Sequence, residues 1–241
     1  MARRIAELIF GIAAYAAYDS PPGNEPDVFW SAQTPTAPPP RPPVPLLLRR
    51  RVSPIGQAAL RAAWALPQVE RARFVFASRN GEFDRTLAML DQLAAEDAPA
   101  PADFSLGVHN ALPGLLSICT RNHRGHIALA AGIDSFGFGL MEAAACLLEQ
   151  PEDPVVLVYY DAPLPPGYPD TAPACTKTTL ALAIALVAPP EASTSIVMSA
   201  TPADDTEPCE AAPVVFLSFL RTMAPEARAT GERMIWQWRR G

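Results

Sequence analysis

HIALAAGIDSFGFGLMEAAACLL, running from His126 to Leu148, decides the fold. Its first six residues, His126, Ile127, Ala128, Leu129, Ala130 and Ala131, make a short apolar strand. Gly132, Ile133 and Asp134 turn the chain, and from Ser135 to Gln150 an apolar run free of proline reads as a long buried helix that stops before Pro151. A strand that turns straight into a buried helix is half of a β-α-β unit.

Working outward, the same alternation continues on both sides. Ile5 to Tyr18 reads as a first strand, closed by the turn-forming run Asp19-Ser20-Pro21-Pro22-Gly23. The proline-crowded stretch from Pro35 to Pro45 excludes helix and central strand and reads as a loop or cover strap. Pro54 to Leu66 is helical by the spacing of Ile55, Ala59, Leu60 and Ala63, and Arg73 to Ser78 is a short strand. A helix follows from Gly81 to Ala95, then a loop at Ala98 to Ala102 and a second helix over Val108 to Cys119. Val155 to Tyr160 is apolar throughout, so both of its faces should be buried, and Thr178 to Val187 is another apolar strand. The fold class is therefore α/β, in the order β-α-β-α-(α)-β-α-β-β, with a parallel sheet covered on both faces and an antiparallel last strand. Pro213 to Arg240 has helical periodicity, so residues 191–241 are expected to form a helical extension packed on a domain of residues 1–190.

Composition narrows the function classes. A net charge of −6 argues against nucleic acid as a main partner. The basic runs Arg49-Arg50-Arg51 and Arg239-Arg240 read as solvated surface, with a visiting acidic acyl carrier protein as the alternative. The cysteines, Cys119, Cys146, Cys175 and Cys209, follow no metal-binding or redox spacing and read as buried thiols in a reducing cytoplasm. Glu7 interrupts the apolar N-terminal run, which reads as a strand and not as an export signal. No segment has the length of apolar chain that a membrane span needs. Neither a metal site nor a cofactor site is expected.

Four segments carry a resemblance: FVFASRNGEFDRTLAML (74–90), FSLGVHNALPGLLSI (104–118), ALAAGIDSFGFGLMEAAACLL (128–148) and VVLVYYDAPLP (155–165). In this order they resemble the ketosynthase-like N-terminal proteins that accompany arylpolyene and related type II fatty-acid or polyketide pathways. The resemblance spans about residues 1–190 and implies the N-terminal half of a thiolase-like fold. In a ketosynthase the catalytic cysteine sits at the turn into the buried helix, where helix dipole and free N–H groups lower a thiol's pKa. Here an ungapped register puts Ile133 at that position, and a slip of one or two residues gives Gly132, Asp134 or Ser135. None is a cysteine. The family's two condensation histidines belong to a C-terminal half, and the last histidine of this chain is His126. The SFGFG string at 135–139 also occurs near the end of complete ketosynthases, before a glycine-rich loop; here a helix follows, so the match is coincidental.

Each candidate has a plainer reading. Asp134 and Ser135 suit helix capping, while Ser135 as a nucleophile would need His109 or His126 as base. His109 and Asn110 are either polar groups near the old active site or a structural pair at a helix start. His123 and His126 flank a turn and lack further metal ligands. Cys119 lacks an activating context. Asp161 ends a parallel strand, where carboxylates are often functional, and equally suits a turn. By the resemblance, Phe136 and Phe138 line an acyl tunnel, and His126 to Ala131 is an edge strand that pairs with a second subunit. An apolar edge without charge or proline independently calls for a cover. Three functions follow. The first is a non-catalytic, chain-length-factor-like subunit that pairs with a full-length ketosynthase and meets a carrier protein. The second is a small hydrolase or acyltransferase using Ser135 or Cys119 with a histidine. The third is a homodimeric acyl-binding scaffold.

Overall fold

The computed structural model describes residues 6–20, 28–31, 44–45, 49–165, 168, 175, 177–192, 194–204 and 208–241. The expected proline strap lies almost wholly outside these residues. Nine strands form one sheet: β1 Ala6–Ser20, β2 Val28–Ser31, β3 Arg73–Ala77, β4 His126–Leu129, β5 Val155–Asp161, β6 Thr179–Val187, β7 Ser195–Pro202, β8 Glu226–Thr230 and β9 Met234–Arg240. The order across the sheet is β4-β3-β5-β6-β1-β7-β9-β8, with β2 paired to β1. The helices are α1 Pro54–Trp64, α2 Phe83–Ala94, α3 Pro101–Gly107, α4 Ala111–Thr120, α5 Ser135–Glu149 and α6 Ala212–Thr222.

The α/β reading holds, and the expected all-parallel body is corrected. Only β4, β3 and β5 are mutually paired in parallel. β1 lies between β6 and β7 and is antiparallel to both. Two adjacent antiparallel neighbours need no crossover helix, which is why the apolar β6 follows β5 directly.

Burial follows the pleat. Val155 and Leu157 of β5 face one core with α5 and α6, while Val156, Val158 and Tyr160 face the other with α1 and α4. β6 divides likewise: Leu180, Leu182, Ile184 and Leu186 on the α5 side, and Ala181, Ala183 and Ala185 under α1. The three alanines let α1, which buries Ala58, Ala59, Ala62 and Ala63, lie close on the sheet.

Two local readings are corrected. Residues 98–102 are not all loop, because Pro101 opens α3, where its missing N–H costs nothing. The helical tail ends at Thr222; beyond it β8 and β9 form an antiparallel hairpin that extends the main sheet. Met234, Trp236 and Trp238 are buried with a period of two. Burying each indole removes about 200 Å² from water, roughly 5 kcal/mol of transfer free energy. A helix would spread those two rings 200° apart, so the strand wins.

Candidate functional site

The turn between β4 and α5 sits on the edge side of the sheet, and both of its polar side chains, Asp134 and Ser135, are engaged. Gly132 has φ +63°, a left-handed conformation that disfavours side chains. The Ser135 hydroxyl accepts a hydrogen bond from Ala131 N at 2.9 Å and donates one to Gly132 O at 2.7 Å. Ser135 is fully buried, and among the described residues its hydroxyl bonds to Ala131 N and Gly132 O and to no histidine. Its oxygen closes the turn and has no base.

Asp134 stands at the N-cap position of α5, yet its side chain does not cap the helix, which corrects the capping expectation. Its carboxylate, fully buried, reaches the β8–β9 hairpin instead. Trp236 Nε1 donates to Oδ1 at 2.9 Å and Arg233 N donates to Oδ2 at 2.8 Å. Arg233 also donates from Nη2 to Ala131 O at 3.1 Å, and its guanidinium lies 5.6 Å from the centre of the Phe138 ring. A Cβ at Gly231 would fall on Asp134 Oδ1, so the hairpin can approach only with glycine there. The turn is thus a lock between α5 and the C-terminal hairpin.

The helix start explains its own glycines. A Cβ at Gly137 would overlap the Trp236 ring, and one at Gly139 would lie 2.6 Å from Ala77 Cβ. Glycine at these two positions lets α5 touch β9 on one side and β3 on the other. Phe136 is fully buried, with ring centres 5.6 Å from Tyr159, 5.4 Å from Phe216 and 6.3 Å from Trp238. Phe138 is only partly buried and packs edge-on against Trp236 at 5.1 Å.

Beside the turn, at the C-terminal ends of β3 and β5, Asp161 is buried. Arg79 N donates to its Oδ2 at 2.8 Å, Tyr159 Oη donates to Oδ2 at 3.1 Å, and Asn80 N donates to Oδ1 at 3.0 Å. Burial pushes the carboxyl pKa up, and the two backbone donors, then the tyrosine hydroxyl, pull it back. A cavity of about 30 Å³ lies here, lined by Gly132, Ile133, Asp161, Cys175 and the start of α6 among others. That volume suits one or two waters, not an acyl chain.

His109 is half-buried with its ring against Gly81, and burial lowers its pKa. Asn110 is exposed at the N-cap of α4 without a side-chain capping bond. Neither residue lines the cavity beside Ser135. Cys119 packs on the opposite face of the sheet, with its thiol pKa raised by burial. Among the described residues no cluster of histidine, cysteine and carboxylates could hold a metal.

The reading of four free thiols is corrected: Cys175 and Cys209 form a disulfide, while Cys119 and Cys146 are free. The bridge closes a loop with a sequence separation of 34. Loop-closure entropy for that length is worth about 4 kcal/mol. Cys209 adjoins Glu210, whose N–H donates to Thr230 O at 2.7 Å, so the bridge anchors the lip of the cavity to the hairpin. Reductant, or Cys175→Ser, is expected to lower the urea midpoint accordingly; an unchanged midpoint would show that the bridge contributes nothing in solution. Spacing could not announce this pair, because its halves come from two separate loops. The Asp134–Trp236 bond was equally hidden, although the alternation Met234, Trp236, Trp238 could have revealed β9.

Among the described residues β4 is the sheet's edge, paired with β3 alone. Ile127, Ala128 and Leu129 are partly exposed, and His126 and Ala130 are exposed.

A model of the β-ketoacyl synthase N-terminal domain matches residues 24–239. No curated protein sequence matches the chain. A structure of the ketosynthase ApeO in complex with its chain length factor ApeC, from Xenorhabdus doucetiae, contains a chain similar to this one at 23% identity and a TM-score of 0.77; the match covers 96% of this chain and 99% of that one. The ishigamide ketosynthase/chain length factor is similar at 15% identity and a TM-score of 0.51, over 85% of this chain and 66% of that one. A β-ketoacyl synthase from Burkholderia phymatum is similar at 12% identity and a TM-score of 0.50, over 93% and 71%.

Proposed function

Because the chain belongs to the β-ketoacyl synthase N-terminal domain family, we propose that it is a non-catalytic subunit, akin to a chain-length factor, that pairs with a complete ketosynthase. The setting is a type II fatty-acid or polyketide pathway of the arylpolyene kind. One observation carries the reading: at the nucleophile turn, Asp134 and Ser135 spend their polar atoms on the turn and the hairpin. Ile133 stands where the cysteine would be, and no histidine follows His126. The ketosynthase of the pair supplies the chemistry. The hydrolase reading loses its support, since Ser135 lacks a base and burial raises the pKa of the Cys119 thiol. Of the two tunnel candidates, Phe138 takes the role, because Phe136 is enclosed by three aromatic rings.

Pairing runs through β4. Leu129 O accepts from Ser78 N, and the phase of this parallel ladder turns the Ala128 N–H outward. Ala128→Pro therefore removes an edge donor without breaking the ladder to β3. The expected result is loss of co-purification with the neighbouring ketosynthase, while the urea midpoint of the isolated chain barely moves. Retained co-purification would sink the β4 interface. Native mass spectrometry showing only a homodimer in the presence of ketosynthase would favour the scaffold reading instead.

A further inference from the structure

The sheet has a second open edge, at the far end from β4. Among the described residues β8 is paired with β9 alone. Hydrogen bonds at the two ends of the hairpin fix the phase of that pairing: Arg240 N donates to Pro225 O at 2.9 Å, and Gly231 N donates to Met234 O at 2.7 Å. Pro225, Ala227, Ala229 and Gly231 therefore turn their backbone groups toward β9, and Glu226, Arg228 and Thr230 turn theirs outward. Thr230 is already answered, since Glu210 N donates to its carbonyl at 2.7 Å and its own N–H donates to Glu210 Oε2 at 3.2 Å. Glu226 and Arg228 are exposed and leave the first part of β8 as an open ladder. Pro225 does not blunt it, because the N–H it lacks would point at β9.

An edge guarded by one sign of charge repels its own copy. This edge carries both signs, and their order matters. Take a second copy running antiparallel, with a twofold axis through Ala227. It sets Glu226 of each copy opposite Arg228 of the other. Both are outward-facing residues, so each opposed pair exchanges both of its backbone hydrogen bonds. Ala227 then meets its own copy at the closer, non-hydrogen-bonded spacing, where a small side chain fits. Moving the axis to Glu226 or to Arg228 would oppose like charges. A slip of half a step would oppose an outward residue to one that faces β9. The charge row already begins inside the chain: Glu7 on β1 lies 3.9 Å from Arg239 on β9, and Arg239 is in register with Glu226 on β8. The signs run minus, plus, minus to the edge, and Arg228 of a second copy is the next plus.

We propose that two copies of this chain join through β8 in this register and continue the sheet across a twofold axis. The occupant is a second copy because the charge pattern of the edge is its own complement. β4 stays available at the opposite edge. Within the reading given above, on which the composition of the assembly rests, two copies of the chain and two ketosynthases then form one complex.

The test uses the full chain, alone and co-purified with ketosynthase, in sedimentation velocity and native mass spectrometry. At about 100 µM the chain alone should be dimeric, and the dimer should weaken between about 50 mM and 500 mM salt as its exposed charges are screened. The ketosynthase complex should hold two copies of each protein. Glu226→Arg alone and Arg228→Glu alone each put like charges across the axis, and each should raise the dimer dissociation constant at least about tenfold. Each should also reduce the ketosynthase complex to one copy of each protein. Mixing the two single variants opposes glutamates to arginines again and should restore the dimer, as should Glu226→Arg/Arg228→Glu in one chain. That rescue separates a lost interface from lost folding. A monomeric wild type would overturn the proposal, as would single variants that dimerise like wild type, or a mixture that stays monomeric. Each of these results leaves ketosynthase pairing through β4 standing. A β8 dimer that never takes up ketosynthase would support this inference and sink the earlier reading instead.

Discussion

Replacing Asp134 with alanine is expected to destabilise the chain by about 4 kcal/mol. The loss is not one hydrogen bond but two: Trp236 Nε1 is left as a buried donor without an acceptor, and Arg233 N loses its partner in a part-buried bond. Each such orphan costs about 1–3 kcal/mol. Set against a total of about 5–15 kcal/mol for a domain, that is a large share. Asp134→Asn should be milder, because the amide keeps one acceptor and turns one donor against a donor. Urea unfolding followed by tryptophan fluorescence reads both effects, since Trp236 is fully buried in the folded chain. If Asp134→Ala unfolded at the wild-type urea concentration, the lock would be an idle contact and the turn would need another explanation.

Gly137→Val should cost a comparable amount through a different mechanism. The new side chain would occupy the place of the Trp236 ring. Overpacking a tight core typically costs about 1–3 kcal/mol. Here the displaced ring also loses its bond to Asp134, so about 4 kcal/mol is expected. The discriminating measurement is a double-mutant cycle. Trp236→Leu alone should destabilise by about 3 kcal/mol, through lost packing and the stranded carboxylate. With Gly137→Val the pair should be less destabilised than the two single costs added, by at least about 1 kcal/mol, because the valine fills space the smaller leucine vacates. Strict additivity would mean that Gly137 and Trp236 do not constrain each other.

How much of this was legible in the sequence depends on the range of each interaction. β4, α5, β5 and β6 were placed to within a residue or two, because their apolar patterns are local and each is buried as a unit. The turn at Gly132 was legible for the same reason, and so was the absence of cysteine. Asp134 was not, because its partners lie 99 and 102 residues away and no short pattern reports on them. SFGFG looked like a chance match because only a partner residue, Trp236 or Ala77, explains why a helix start should tolerate glycine twice. The tail misled for a simpler reason. A short helix and a hairpin with buried rings on alternate residues carry nearly as many apolar positions as one long helix, and the period of two spans only two rings and a methionine.

The position of β1 bears on how the chain is made. Its two long neighbours in the sheet, β6 and β7, both come from the last third of the sequence. During synthesis the first strand can pair early only with the short β2, over Ala16 to Asp19, and the rest of its edges stay open until the ribosome has delivered more than half of the remaining protein. The β3–α5 unit has no such wait, since β3 and β4 meet soon after they appear. Nascent chains would then hold an early-folding half and an idle apolar ribbon, which a chaperone must shield until β6 and β7 close around it.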